Sequence, residues 1–273
     1  MTRPLILVTN DDGIASPGLA AAVAAVDPLG DLLIAAPATQ QTSMGRSRTR
    51  LSELDGCILP RDVQYQGKTW PGFAVQATPA LVVEHAIQEL APRRINLVVS
   101  GINYGENVGS CITISGTIGA AMEAAECGLL ALAFSMETEV EQYFRHDRSV
   151  DFSAALYFVR FFAERVLGKQ FPPDVDVFKV DIPRSATPES GWMMTAQDRL
   201  AYYRPTVVRE TGDLFQPSRL THSVAKGKFS RPGTDAYALS RGLVSITPLS
   251  LDHTSRTPLD ELQKLIDRHP DPG

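Results

Sequence analysis

Apolar residues in this chain come in short continuous runs, each ending on a polar or glycine-rich stretch. Leu5-Ile6-Leu7-Val8-Thr9 stops abruptly on Asn10-Asp11-Asp12-Gly13. Apolar and β-branched residues without alternation predict a strand buried on both faces, as in a parallel sheet. Ser16-Pro17 then reads as an N-cap followed by proline at the first helical position, and the Ala-rich stretch 17–26 continues the helix to Asp27-Pro28. Leu32 to Ala36 is a second buried strand, stopped by Pro37, which closes a right-handed βαβ unit. Strand, acidic turn and helix place Asp11 and Asp12 at the carboxyl edge of an open α/β sheet, where such folds bind ligands.

The rest of the chain extends the pattern. Residues 37–50 form a polar loop leaving that same edge, and 51–76 predict short antiparallel strands with turns at Gly56, Pro60, Gly67 and Pro71-Gly72. Thr78-Pro79 opens a helix to about Leu90. Ile95 to Ser100 is a further parallel-type strand, followed by a loop with glycines at 101, 105 and 109. Thr113 to Thr117 precedes an Ala-rich helix over 118–126, Leu129 to Phe134 is a strand, and 150–167 is a helix with a core-facing aromatic stripe (Phe152, Tyr157, Phe158, Phe161, Phe162). Val175 to Val180 is a strand, and residues 190–247 break into short β-like pieces in which Arg199, Arg204, Arg231 and Thr234-Asp235 are the residues with chemical potential. Leu259 to Ile266 closes the chain as an amphipathic helix, with fraying expected over 267–273.

Composition narrows the function classes. The 273 residues are 44% hydrophobic and 21% charged, ordinary for a soluble globular protein. A net charge of −5 argues against broad nucleic-acid binding while leaving room for a local basic patch. Cys57, Cys111 and Cys127 lack metal-type spacing, which suggests reduced thiols and a cytoplasmic setting. No stretch approaches the roughly 18 apolar residues of a membrane span, and the N-terminus does not read as a signal peptide. The five histidines (His85, His146, His222, His253, His269) are scattered, against a histidine-bound zinc site.

The candidate chemistry gathers at one sheet edge. Adjacent carboxylates repel unless a cation or a shared proton lies between them. Asp11, Asp12, a hydroxyl from Thr42 or Ser43, and the Asn103 amide oxygen form a hard-oxygen donor set suited to Mg²⁺ or Mn²⁺. The bland alternative is a pair of solvated loop acids. Beside them, the 101–109 loop allows close backbone approach, and Ser115-Gly116-Thr117 at a helix start suits an anion or simply caps the helix. Arg46, Arg48 and Arg50 alternate, so an extended chain lines them on one side, either to draw in phosphate or as a solvated edge. A metal next to a phosphate cradle, without a Walker or dinucleotide glycine motif, points to hydrolysis of a phosphomonoester by a metal-activated water.

Asn10-Asp11-Asp12-Gly13, Ser100-Gly101-Ile102-Asn103 with Gly105-Glu106-Asn107-Val108-Gly109, Ser115-Gly116-Thr117, and Gly242 to Leu249 together resemble the survival-protein SurE family, over residues 5 to about 250. That resemblance implies a metal-dependent nucleotidase acting on nucleoside 5′- and 3′-monophosphates, in a family of which some members also shorten polyphosphate. It implies one divalent ion, Mg²⁺ or Mn²⁺, per subunit, held by Asp11, Asp12 and Asn103, with these residues as the catalytic set. It also implies a phosphate pocket of Asn107, Ser115, Gly116 and Thr117. The implied fold is a Rossmann-like, mostly parallel α/β sheet flanked by helices, with a β-hairpin extension and a C-terminal segment exchanged in a homodimer or homotetramer. Residues 1–185 would be the catalytic core and 186–273 a β-rich oligomerisation extension within the same unit.

The chain departs from the family at 37–50. The family's Pro-Asp-x-x-Arg-Ser reads Pro37-Ala38-Thr39-Gln40-Gln41-Thr42 here. Thr42 keeps a ligand hydroxyl, with Ser43 as the alternate, and Arg46 or Arg48 replaces the arginine charge. Ala77 stands where the family prefers glycine. Competing readings are a family member with lost or altered activity and a Mg²⁺-binding receiver-like module. A third, a metal-dependent deacetylase, lacks the histidine that its acids would need.

Overall fold

The computed structural model describes residues 2–267 except 51, 144, 145, 148 and 225–230. His269 and the predicted fraying beyond Asp267 lie outside the described residues. In chain order the elements are β1 (Leu5–Thr9), α1 (Pro17–Val26), β2 (Asp31–Pro37), β3 (Ile58–Pro60), β4 (Val63–Tyr65), β5 (Lys68–Trp70), β6 (Phe73–Val75), α2 (Pro79–His85), β7 (Leu97–Tyr104), α3 (Gly116–Glu126), β8 (Ala131–Met136), α4 (Ser153–Val166), β9 (Val177–Ile182), β10 (Trp192–Met194), β11 (Tyr203–Val208), β12 (Arg219–Val224), α5 (Asp235–Ser240), β13 (Val244–Leu249) and α6 (Leu259–Asp267).

Nine of these strands form one sheet in the order β10-β13-β9-β8-β7-β1-β2-β6-β3. Pairings from β6 through β2, β1, β7 and β8 to β9 are all parallel, whereas β13 runs antiparallel to β9 and β3 antiparallel to β6. The central strands carry the unbroken apolar runs because helices cover both faces. Ile6 and Val8 pack with α1 and α4 on one side, and Leu5 and Leu7 pack with α2 and α3 on the other. The C-terminal part of the chain supplies β10 and β13 to this same sheet. β11 and β12 stand outside it as a two-stranded antiparallel hairpin.

Several boundaries differ from expectation. β7 runs on to Tyr104, so Gly101 and Asn103 lie in a strand; pairing to β8 shifts register between Ser100 and Asn103, and that irregularity accommodates Gly101. The strands predicted at 129–134 and 175–180 each lie two residues later, and α2 gives way to a π-helical turn over Ala86–Leu90. Ser16 has the extended backbone of an N-cap, but its hydroxyl caps nothing. Of the aromatic stripe on α4, Phe158 and Phe162 are buried with the preceding Phe152, while Tyr157 is exposed. α6 buries no side chain against the described residues, and Leu259, Leu265 and Ile266 all face outward.

Candidate functional site

The parallel strand β1 ends at Thr9, opposite Ser100, and β7 runs on past it to Tyr104. That pairing delivers Asp11 and Asn103 to one cavity at the carboxyl edge. Thr42, Ser43, Asn107 and Ser115 line the same cavity. The 37–50 loop is brought there by backbone bonds: Gln41 N–H donates to the Asp11 carbonyl at 2.7 Å, and Gly45 N–H to the Ile114 carbonyl at 3.0 Å. Ser43 adopts φ of +65°. Thr42 and Ser43 both line the cavity.

Asp11 is buried against the start of α3. Its carboxylate accepts the hydroxyl and the backbone N–H of Thr117. A Cβ on residue 116 would lie 2.6 Å from the Asp11 Cβ and 2.8 Å from its Oδ2, so only glycine lets the helix end approach this closely. Burial pushes the Asp11 carboxyl up to about 6, with the Thr117 donors pulling the other way. Asp12 is buried beside it and also lies well above the usual carboxylate range, first from desolvation and then from the Asp11 charge.

The Asp12 side chain takes a different path from its neighbour. Its Oδ1 accepts Gln40 Nε2 at 2.9 Å, its Oδ2 accepts the Tyr104 N–H at 3.3 Å, and it is not among the cavity-lining residues. Its backbone carbonyl meets His146 Nε2 at 2.7 Å. Asn103 Nδ2 donates to the carbonyls of Tyr104 and Gly105 at 3.2 and 2.7 Å, which commits the amide nitrogen to the backbone and leaves the amide oxygen as its donor toward a cation. Among the described residues neither Asp11 nor Asp12 has a lysine or arginine partner, and no group of three His, Cys, Asp or Glu side chains is placed to hold a metal ion by itself. Two unneutralised buried carboxylates with hydroxyl and carboxamide oxygens fit a hard divalent ion.

Of the three residues Ser115, Gly116 and Thr117, Ser115 alone lines the cavity. Its hydroxyl oxygen also accepts the Ile118 N–H at 3.2 Å, so the capping role is realised. Asn107 also lines the cavity and is tethered there by its Nδ2 donating to Ser135 Oγ at 2.7 Å. Arg46, expected at the phosphate, does not line the cavity. Its guanidinium bonds Glu123 Oε2 at 2.7 Å and pairs with Glu126, and Arg48 also pairs with Glu123 and with Glu84. Glu123 is fully buried on α3, so both arginines are drawn to it and pin the 37–50 loop to the helix instead of facing the cavity.

Sequence reasoning missed the opposite wall, made by Glu106, Tyr143, Tyr203 and His222. Tyr202 donates to Glu106 Oε1 at 2.6 Å, and Tyr203 donates to the Glu106 carbonyl at 2.9 Å. Burial raises the Glu106 carboxyl to about 7. Its position inside a glycine loop was a usable signal; the two tyrosines and the histidine come from remote segments with no common spacing.

An open α/β sheet with paired acids and a helix start at its carboxyl edge defines an α/β protein with a polar ligand cavity at that edge. Residues 6–204 match the family model described as "Survival protein SurE". A protein named 5′-nucleotidase SurE from Thermococcus kodakarensis is 36% identical over 266 residues, covering 97% of this chain and 99% of that protein. Its namesake from Methanocella arvoryzae is 38% identical over 269 residues, covering 96% and 97% respectively. The crystal structure of the SurE protein from Aquifex aeolicus superposes with a TM-score of 0.74 at 29% identity, covering 97% of this chain and all of that one. The chain belongs to the survival protein SurE family.

Proposed function

We propose that this chain is a divalent-metal-dependent nucleotidase that hydrolyses the phosphomonoester of nucleoside 5′- and 3′-monophosphates. The observation that carries the reading is the convergence of buried Asp11, Asn103 and the Thr42–Ser43 hydroxyls on one cavity beside the start of α3. The names of the relatives support the 5′ specificity. In this reading Asp11 and Asn103 hold Mg²⁺ or Mn²⁺, with Thr42 or Ser43 as the neutral ligand and Asp12 completing the set. When bound, the ion supplies Lewis acidity toward a phosphoryl oxygen and the incoming water.

The chain's own groups do the positioning. Thr117 orients the Asp11 carboxylate, and Gln40 with the Tyr104 N–H orients that of Asp12. Ser115 and Asn107 present hydroxyl and carboxamide groups to the phosphate, and the Tyr143–Tyr203 wall restricts water on the opposite side. A polyphosphate-shortening side activity, a cytoplasmic setting and a homodimer or homotetramer with an exchanged C-terminal segment belong to the same proposal. No helix among the described residues is long and apolar enough to cross a membrane. The outward apolar side chains of α6 support the exchanged segment.

The test is phosphate release from a panel of nucleoside 5′- and 3′-monophosphates with Mn²⁺ or Mg²⁺, then with EDTA. Metal-dependent release from the 5′ esters is expected. Absence of release from every ester would retire the reading.

A further inference from the structure

Behind the cavity lies a charged cluster that the chemistry above does not use. Lys179 and Asp181 project from the same face of β9, two residues apart, and both are fully buried. Asp235 at the start of α5 joins them. Lys179 Nζ is paired with Asp181 Oδ2 and lies 3.0 Å from Asp235 Oδ2. Such buried ionic groups are seldom the most stable filling of a core, since well-packed apolar residues of similar volume do as well or better. Stability is therefore a weak reason for this one.

The cluster's other contacts give a stronger reason. Asp181 Oδ1 accepts the backbone N–H of Asn107 at 2.7 Å, and Asp235 Oδ2 accepts that of Gly109 at 3.1 Å. Both N–H groups belong to the glycine loop that lines the cavity. The Asn107 side chain is meanwhile tethered to Ser135 on the neighbouring strand. Asn107 is thus fixed at its main chain by a carboxylate and at its side chain by a hydroxyl, and Lys179 stops Asp181 from swinging away. A loop with glycines at 105 and 109 has little rigidity of its own, so the anchor must come from outside it.

We propose that Asp181, clamped by Lys179, is a positioning residue that sets Asn107 at the cavity wall for contact with the substrate phosphate. This rests on the nucleotidase reading for the nature of the ligand and on geometry alone for the anchoring. Asp181→Leu removes the acceptor while leaving the Lys179–Asp235 pair, and Asp181→Asn keeps an oxygen in its place. KM and kcat for adenosine 5′-monophosphate with Mn²⁺ are measured for both, alone and combined with Asn107→Ala.

Losing a hydrogen bond to a charged acceptor predicts that Asp181→Leu raises KM about tenfold or more with a much smaller change in kcat. Asp181→Asn should restore most of the KM, and the Leu effect should largely vanish in the Asn107→Ala background. Additive effects in that background, or failure of Asp181→Asn to rescue, would overturn the proposal. Hydrogen exchange of peptides spanning 105–109 gives an independent readout. Asp181→Leu should deprotect them while Asp181→Asn should not, and unchanged protection in the Leu variant would overturn the proposal. If the wild type releases no phosphate, the nucleotidase reading falls and the exchange result alone decides the anchoring. Should Asp181→Leu fail to fold, Asp181→Ala carries the same comparison.

Discussion

Asp11→Asn removes a charge that the ion-free fold holds at a cost. An ordinary aspartate titrates near 3.8, and burial raises this one to about 6. At about 1.4 kcal/mol per tenfold, that difference corresponds to roughly 3 kcal/mol of native-state destabilisation once the group is ionised. The sign follows from proton binding. With its folded value above its unfolded one, Asp11 holds its proton more tightly in the native state, so stability is greatest below pH 3.8, falls as pH rises toward 6, and is level above. The asparagine amide has no charge to ionise, and its oxygen can still accept the Thr117 hydroxyl. We expect the variant, without metal and at pH 7, to gain up to about 3 kcal/mol, or roughly 5–10 °C in Tm, and to gain little at pH 4. Added Mn²⁺ should raise the Tm of the wild type and leave the variant nearly unmoved. Differential scanning calorimetry in EDTA and in Mn²⁺ at both pH values separates these effects. A variant that loses stability at pH 7 as much as at pH 4, or that responds to Mn²⁺ like the wild type, would refute the argument.

Asp12→Asn and Asn103→Ala should each abolish phosphate release with an unchanged circular dichroism spectrum; retained turnover in either would remove that residue from the metal set. Lys179→Met leaves Asp181 and Asp235 facing one another without their cation, which should cost about 3–5 kcal/mol in a urea titration at pH 7; a midpoint within error of the wild type would show the pair to be neutralised some other way. Size-exclusion chromatography with light scattering should give a dimer or tetramer, and a monomer would refute the exchanged C-terminal segment.

Legibility in the sequence followed locality. The Leu5–Thr9 run and its acidic end were readable because a doubly covered strand needs no partner information to be recognised. The position of Asn103 beside Asp11 was readable too, although the strand around it was not. A glycine at 101 argues against a strand in isolation, and only the register shift against β8 makes room for it. Lys179 fell inside the predicted strand Val175 to Val180 and Asp181 just past its end, and neither carried a candidate role. Their burial depends on Asp235, far along the chain, and no local pattern announces a partner at that separation. Arg46 failed for the same reason. Arginines alternating at 46, 48 and 50 suit a phosphate, and what withdrew Arg46 was Glu123, buried on α3.

The hairpin of β11 and β12 carries Tyr203 and His222 to the cavity while taking no part in the main sheet. The rim facing the acids is therefore borrowed from a peripheral arm whose residues are nearly all solvated. Mutation there can recut the entrance without touching the reaction centre, so selectivity and chemistry are free to drift apart across related proteins.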